Sequence, residues 1–390
     1  MNSARILILS FSPIARDPRV RRQIDLLKGA HQVTVTGYGP FADPQVEFVP
    51  LVHVPRAGLH RWHAVVLLQL RRFVAFYWSA AAVKQARAAL EGRAFDLILA
   101  NDVDAVPLAL HLAGPRTRLL LDAHEYAPGE FADRLHWRLL YQAYKTWLCR
   151  TGLPRVHGFT TVCDGIADEY ARVFHVPRPL VVPNVPPRQP GEPRPTPRDA
   201  IRLVHHGLAS RSRQIETMID LMRHLDRRFT LDLMLVSPES GYLDSLCARA
   251  AGDARIRFRD PVPPDQIVAA TRDYDLGVFL LPPANLNYRF ALPNKFFEFV
   301  QARLAVAIGP SPEMARLVRA HELGVVAEDF SPMTLARQLE RLDAPAIDRL
   351  KQASHRAADR LCWEEAQGPF RALVDRLLAE VCVRPSAPAR

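Results

Sequence analysis

The sequence predicts an α/β protein made of two doubly wound parallel sheets in tandem, each flanked by helices. Short runs rich in Val, Ile and Leu alternate with helical patterns along nearly the whole chain, as repeated β-α units require. Most of these runs are continuously apolar rather than alternating, which suits parallel strands covered on both faces. A third observation divides the chain. Segment 184–200, NVPPRQPGEPRPTPRDA, holds six prolines in 17 residues. Proline fixes φ and lacks an N–H, so this stretch supports neither a regular helix nor a central strand and reads as a stiff connector.

Six strands are expected ahead of the connector: ILILS (6–10), QVTVTGY (32–38), FDLILAN (95–101), RLLLDAHE (118–125), GFTTV (158–162) and LVVPN (180–184). Six more follow it: IRLVHHG (201–207), LDLMLV (231–236), IRFRD (256–260), DLGVFLL (275–281), AVAIG (305–309) and GVVAE (324–328). The expected organisation is a Rossmann-like domain over 1–185, a linker over 186–200, a second Rossmann-like domain over 201–362, and a helix over 363–384 that ends in a frayed PSAPAR tail. The longest apolar stretch, 63–83, carries Arg71 and Arg72 at its centre. Two mid-bilayer arginines would cost roughly 5–7 kcal/mol, so a spanning helix is rejected. At 100° per residue, Arg61, Gln69, Arg72, Ser79 and Arg87 share a stripe, giving a mostly buried amphipathic helix, with membrane-surface contact as the alternative.

Composition bounds the partners. With 51 basic against 41 acidic residues the chain carries +10, which suggests an anionic partner: a nucleotide, a membrane surface or nucleic acid. No nucleic-acid module accompanies the charge, so nucleic acid is not expected. The five cysteines (Cys149, Cys163, Cys247, Cys362, Cys382) are odd in number and form no C-x-x-C, which argues against a disulfide framework or zinc site. With no signal-like segment at the start, a cytoplasmic location is expected.

In open α/β sheets ligands sit beyond the carboxyl ends of the strands, so the strand-to-helix loops are where chemistry belongs. The first loop enters a helix through Asp17-Pro18, a cap followed by proline at the first helical position. It lacks G-x-G-x-x-G, which removes support for a dehydrogenase, and its Arg19, Arg21 and Arg22 could meet an anionic group. In LLLDAHE, alternation aims Asp122 and His124 the same way, and a histidine there could polarise a hydroxyl. After the 201–207 strand, Gly207 precedes Arg211 and Arg213 at a helix entrance, a place suited to a diphosphate. The fourth loop runs into ALPNKFFEF: behind Pro293 and Asn294, Lys295 suits a phosphate and Glu298 a ribose diol, the alternative being a surface Lys–Glu pair. Asp102 and Asp104, at the end of FDLILAN, could instead hold Mg²⁺ or Mn²⁺.

These pieces, in this order, resemble the GT-B glycosyltransferases, and within them the retaining family 4 enzymes that use nucleotide sugars. The matching residues are DPRVRRQIDLL, LDAHE, TVCDGIADEYARVFHVPRPLVVPNVPP, GLASRSRQIETMI, DLGVFLLPP with ALPNKFFEFVQARLAVAIG, and Trp363 in LCWEEAQGPF. The resemblance implies that Glu298 holds the donor ribose and that Arg213 and Lys295 neutralise the diphosphate in place of a metal. It sets His124 beside the transferring sugar and Asn184 at the hinge side of a cleft. No cofactor is implied beyond the nucleotide-diphosphate sugar; the acceptor would be a glycan or lipid-linked glycan. Basic-aromatic stretches such as 134–150 suggest peripheral contact with the inner face of an anionic membrane. Two departures stand out. Phe290 occupies the place of the family's first glutamate, leaving Asn287, Tyr288 and Arg289 as candidates for sugar contact, and the glycine pair after strand one is missing. Phe290 keeps open a non-catalytic nucleotide-sugar or polyanion-binding protein, and the two aspartates a metal-dependent transferase.

Overall fold

A computed structural model describes residues 3–55 and 57–382; the PSAPAR tail and residues 383–384 lie outside the described residues. The chain packs as two units. Residues up to Val182 group with those from Gln367 onward, and Pro183–Ala366 form the second unit.

The first unit holds a seven-stranded sheet in the order β3-β2-β1-β4-β5-β6-β7, parallel throughout. Its strands are β1 (Arg5–Pro13), β2 (Gln32–Tyr38), β3 (Val46–Leu51), β4 (Leu97–Asn101), β5 (Arg118–Ala123), β6 (Gly158–Thr161) and β7 (Leu180–Val181). Ile6, Leu7, Ile8 and Leu9 of β1 are completely buried, because β2 and β4 flank the strand and helices cover both faces. The second unit holds six parallel strands ordered β10-β9-β8-β11-β12-β13. These are β8 (Ile201–Leu208), β9 (Phe229–Val236), β10 (Ile256–Arg259), β11 (Leu276–Phe279), β12 (Ala305–Ile308) and β13 (Gly324–Val326). The strand order reverses at β1/β4 in one sheet and at β8/β11 in the other, and such switch points open a crevice at the carboxyl ends.

All twelve expected strands are present, with ends shifted by a few residues. The thirteenth, β3, was not legible: it is a half-exposed edge strand carrying Glu47 and Pro50, so it shows no apolar run. The 63–83 segment departs from expectation. A helix spans Gly58–Gln69, the chain turns at Arg71 (φ 54°), and further helices span Phe73–Ser79 and Ala81–Leu90. The first of these buries only Ala64 and Leu68, so the expected single, mostly buried helix is corrected. Nor does the proline-rich segment hang free. Gln189 N–H donates to Gln301 Oε1 at 2.9 Å, Arg303 Nη2 donates to the Gln189 carbonyl at 2.6 Å, and Thr196 N–H donates to Asp348 Oδ1 at 2.8 Å, all within the second unit.

Candidate functional site

In the second unit the site grows from the end of β8. Gly207 has φ +108°, a conformation that L side chains rarely adopt, and a Cβ there would stand 3.4 Å from Lys295 Nζ. Lys295 belongs to the Asn294–Gln301 helix, whose N-cap Pro293 offers no side-chain cap to the first N–H groups. The ammonium is buried, lies 4.4 Å from the Phe279 ring centroid on β11 and 3.2 Å from His205 Nε2 on β8. It therefore bridges the switch point. The Val278 carbonyl, 2.8 Å from His205 Nδ1, can only accept, so Nδ1 carries the proton and Nε2 accepts from the lysine. Burial, then Arg213 nearby, pushes the Lys295 ammonium well below an ordinary lysine, while Glu298 acts the other way.

Glu298 and His206 approach to 3.5 Å, too long for a hydrogen bond, and burial followed by Lys295 lowers His206 to about 3, so the ring is neutral. Two buried polar atoms at this end lack partners, His206 Nε2 and Arg213 Nε. Ser212 Oγ and Tyr288 Oη are 3.0 Å apart, tying the 210–213 turn to the Leu286–Arg289 helix. Arg289 lies over the Phe290 ring instead. Asn294 opens the lysine helix and is half-buried. Arg211 is not part of the cluster. Its backbone N–H donates to Glu239 and its guanidinium lies over the Tyr242 ring. Asn184 sits three residues past β7, at the start of the second unit.

The first unit treats its charges differently. Arg19, expected to meet a substrate anion, is buried and spent within the protein. Its Nε and Nη2 each donate to Asp122 at 2.6 Å, and Nη1 donates to the Val182 carbonyl at 2.8 Å. Gln23 Nε2 (2.5 Å) and Thr160 Oγ1 (2.6 Å) also donate to Asp122. Burial alone would push this carboxyl up; Arg19 and His124 override it and hold it well below the usual range. Asp17 caps the Pro18–Leu27 helix, accepting from the N–H groups of Arg19 and Val20 and from Ser12 Oγ. His124 stands 3.5 Å from both Asp102 and Asp122 and 3.2 Å from Asn101 Oδ1. Burial lowers its pKa, but the two aspartates dominate and raise it to about 9, so the imidazole is cationic and donates rather than accepts.

Asp102 accepts the His124 backbone N–H at 2.9 Å and has φ 61° with ψ 159°, a region that suits glycine and costs other residues on the order of 1–3 kcal/mol. Asp104 is paired with Lys145 at 2.6 Å, and Lys145 also reaches Glu130 at 2.8 Å. Each aspartate of the triplet thus faces a protein cation, and among the described residues no group of three His, Cys, Asp or Glu is arranged to hold a metal. Beside them a cavity of about 390 Å³ opens at the β1/β4 switch point, lined by Ser10, Ser12, Tyr38, Asn101, Asp102, Tyr141 and Tyr144 among others. The buried Asn101 Nδ2 has no partner.

His205, His206, Asn101 and Lys145 were not singled out by sequence. The adjacent histidines just ahead of Gly207 were the one available signal.

The chain has the two-sheet fold of the GT-B glycosyltransferases. It is similar over 96% of its length to sucrose-phosphate synthase from Thermosynechococcus elongatus, covering 99% of that chain at 14% identity with a TM-score of 0.73. It is also similar to TarM of S. aureus, solved with fondaparinux, α-GlcNAc-glycerol and UDP (95% and 99% covered, 6% identity, TM-score 0.70). A third is HepE of Anabaena, solved with UDP and glucose (95% and 100% covered, 14% identity, TM-score 0.65). No protein-family model matches the sequence, and no curated protein matches it.

Proposed function

We propose that this protein is a retaining glycosyltransferase that moves a sugar from a nucleotide-diphosphate donor to a polysaccharide or lipid-linked glycan acceptor without a metal. The observation that carries the reading is the buried Lys295 ammonium at the β8/β11 switch point, beside Gly207, an uncapped helix start and the unpartnered Arg213 Nε. A cation held against burial with so little anionic compensation is prepared for an anion that arrives, and a diphosphate supplies two. In this reading Glu298, one turn along the same helix, accepts from the ribose hydroxyls.

In the proposed step the bond from the sugar's anomeric carbon to the diphosphate oxygen breaks. The acceptor oxygen bonds to the same face, and its proton passes to the departing diphosphate. Lys295 and Arg213 stabilise the charge that develops on that leaving group. His124, as a cation, donates to a sugar hydroxyl, and the switch-point cavity of the first unit is the candidate acceptor pocket. The solved complexes of TarM with UDP and of HepE with UDP and glucose are consistent with this donor class.

Turnover of UDP-, GDP- and ADP-sugars by wild type and Glu298→Ala, with product analysis, tests the reading. The variant is expected to lose roughly 10–100-fold in kcat/KM, the value of a charged hydrogen bond. Unchanged turnover would overturn the ribose assignment, and binding without turnover in wild type would overturn the enzyme reading.

A further inference from the structure

We propose that the face formed by the Gly58–Gln69 helix and the neighbouring Leu135–Leu140 helix docks onto an anionic bilayer, dipping its apolar residues into the headgroup region while the chain stays outside the hydrocarbon core. Leu59 and Trp62 are 85% and 72% exposed, and Val66 and Leu70 are exposed beside them. At 100° per residue these four fall within roughly 80° of the helix circumference, one continuous stripe. On the adjacent helix Leu135 and Leu139, one turn apart, are 61% and 67% exposed, while Trp137 between them is buried and anchors the helix. Water-facing residues of this size gathered on two contacting helices are more than the scattered single exposures a soluble surface tolerates.

Charge decides the occupant. From Phe48 to Leu90 the sequence contains no Asp or Glu, against five arginines and one lysine. Arg61, Arg71 and Arg72 are exposed around the apolar stripe, and Arg138 flanks Leu139. A second copy of the chain would bring the same positive charge against itself, whereas anionic lipid headgroups complement it. Among the described residues no helix is long and apolar enough to cross a membrane, so the contact is interfacial, with burial of about 5–10 Å at most. Arg71, with its left-handed backbone, ends the stripe and breaks the helix, and the following Phe73–Ser79 helix buries Phe73, Phe76 and Tyr77 instead.

The proposal stands on this surface and needs no catalytic activity, so its test contains no nucleotide sugar. Full-length protein is sedimented with vesicles of phosphatidylcholine alone and of phosphatidylcholine with phosphatidylglycerol. Wild type is expected to pellet only with the anionic vesicles and to be released as salt rises. Leu59→Ser/Trp62→Ser/Leu139→Ser is expected to weaken binding at least about tenfold while keeping its circular dichroism and Tm, since these side chains are exposed. Arg71→Gln/Arg72→Gln is expected to weaken binding and flatten the salt dependence. Wild type left in the supernatant, or a triple variant that binds like wild type, would overturn the proposal. So would a wild-type dimer in light scattering that the triple substitution dissolves, because the face would then belong to a second copy.

Discussion

The two switch points hold opposite electrostatic arrangements. In the first unit the buried Arg19 meets Asp122 bidentately, and Gln23 and Thr160 fill the carboxylate's remaining positions. In the second unit the buried Lys295 meets a neutral histidine and an aromatic ring, and Glu298 offsets only part of the effect of its burial. One charge is closed within the protein; the other is kept open. The difference teaches that burial of a cation is not in itself a sign of function. What matters is whether the protein supplies its counter-charge.

Removing the counter-charge in the first unit should produce the largest effect. Asp122→Ala leaves Arg19 buried and unpaired, and about 3–5 kcal/mol of stability should disappear in denaturant unfolding. A loss below 1 kcal/mol would show that water reaches Arg19, and the contrast between the two sites would fail. At the second site the same logic separates stability from activity. Lys295→Met is expected to lower kcat for sugar transfer by about 10²–10³-fold, the usual cost of losing one charge-stabilising donor. Yet its Tm should hold or rise, because a desolvated ammonium has gone. A variant that is both inactive and unstable would mark Lys295 as structural.

The smallest effect is a pair of opposed pH slopes. His124 in the first unit is raised from 6.5 to about 9, so its contribution is complete below 6.5 and is lost as pH rises through about 9. His206 in the second unit is lowered from 6.5 to about 3, so its contribution is present above 6.5 and is lost as pH falls toward about 3. Stability measured against pH should lose its alkaline slope in His124→Asn and its acid slope in His206→Phe. Identical profiles in wild type and both variants would erase the contrast.

The strands were legible because parallel, doubly covered strands must be continuous apolar runs, and β3 escaped because an edge strand need not be. Lys295 and Glu298 were legible as a pair, since one turn of helix links them. The role of Arg19 was not, because its partner lies 103 residues away and no local pattern reports such a pairing. His205 escaped for a related reason: within an apolar run it reads as filler, and only β11 and the Asn294–Gln301 helix together reveal what it holds. The Gly58–Gln69 helix was misjudged because Arg72, just past the turn at Arg71, fell on the same 100° stripe as Arg61 and Gln69 and so joined three short helices into one.

Asp102 carries a lesson for anyone redesigning this chain. Its backbone lies where glycine is comfortable, so a search for higher thermal stability would readily offer Asp102→Gly. That single exchange would relax the main chain and remove the carboxylate that holds both the His124 backbone and its ring. The strain relieved and the hydrogen bond and counter-charge lost are of similar size, so melting temperature alone would barely register a change that sets the histidine adrift.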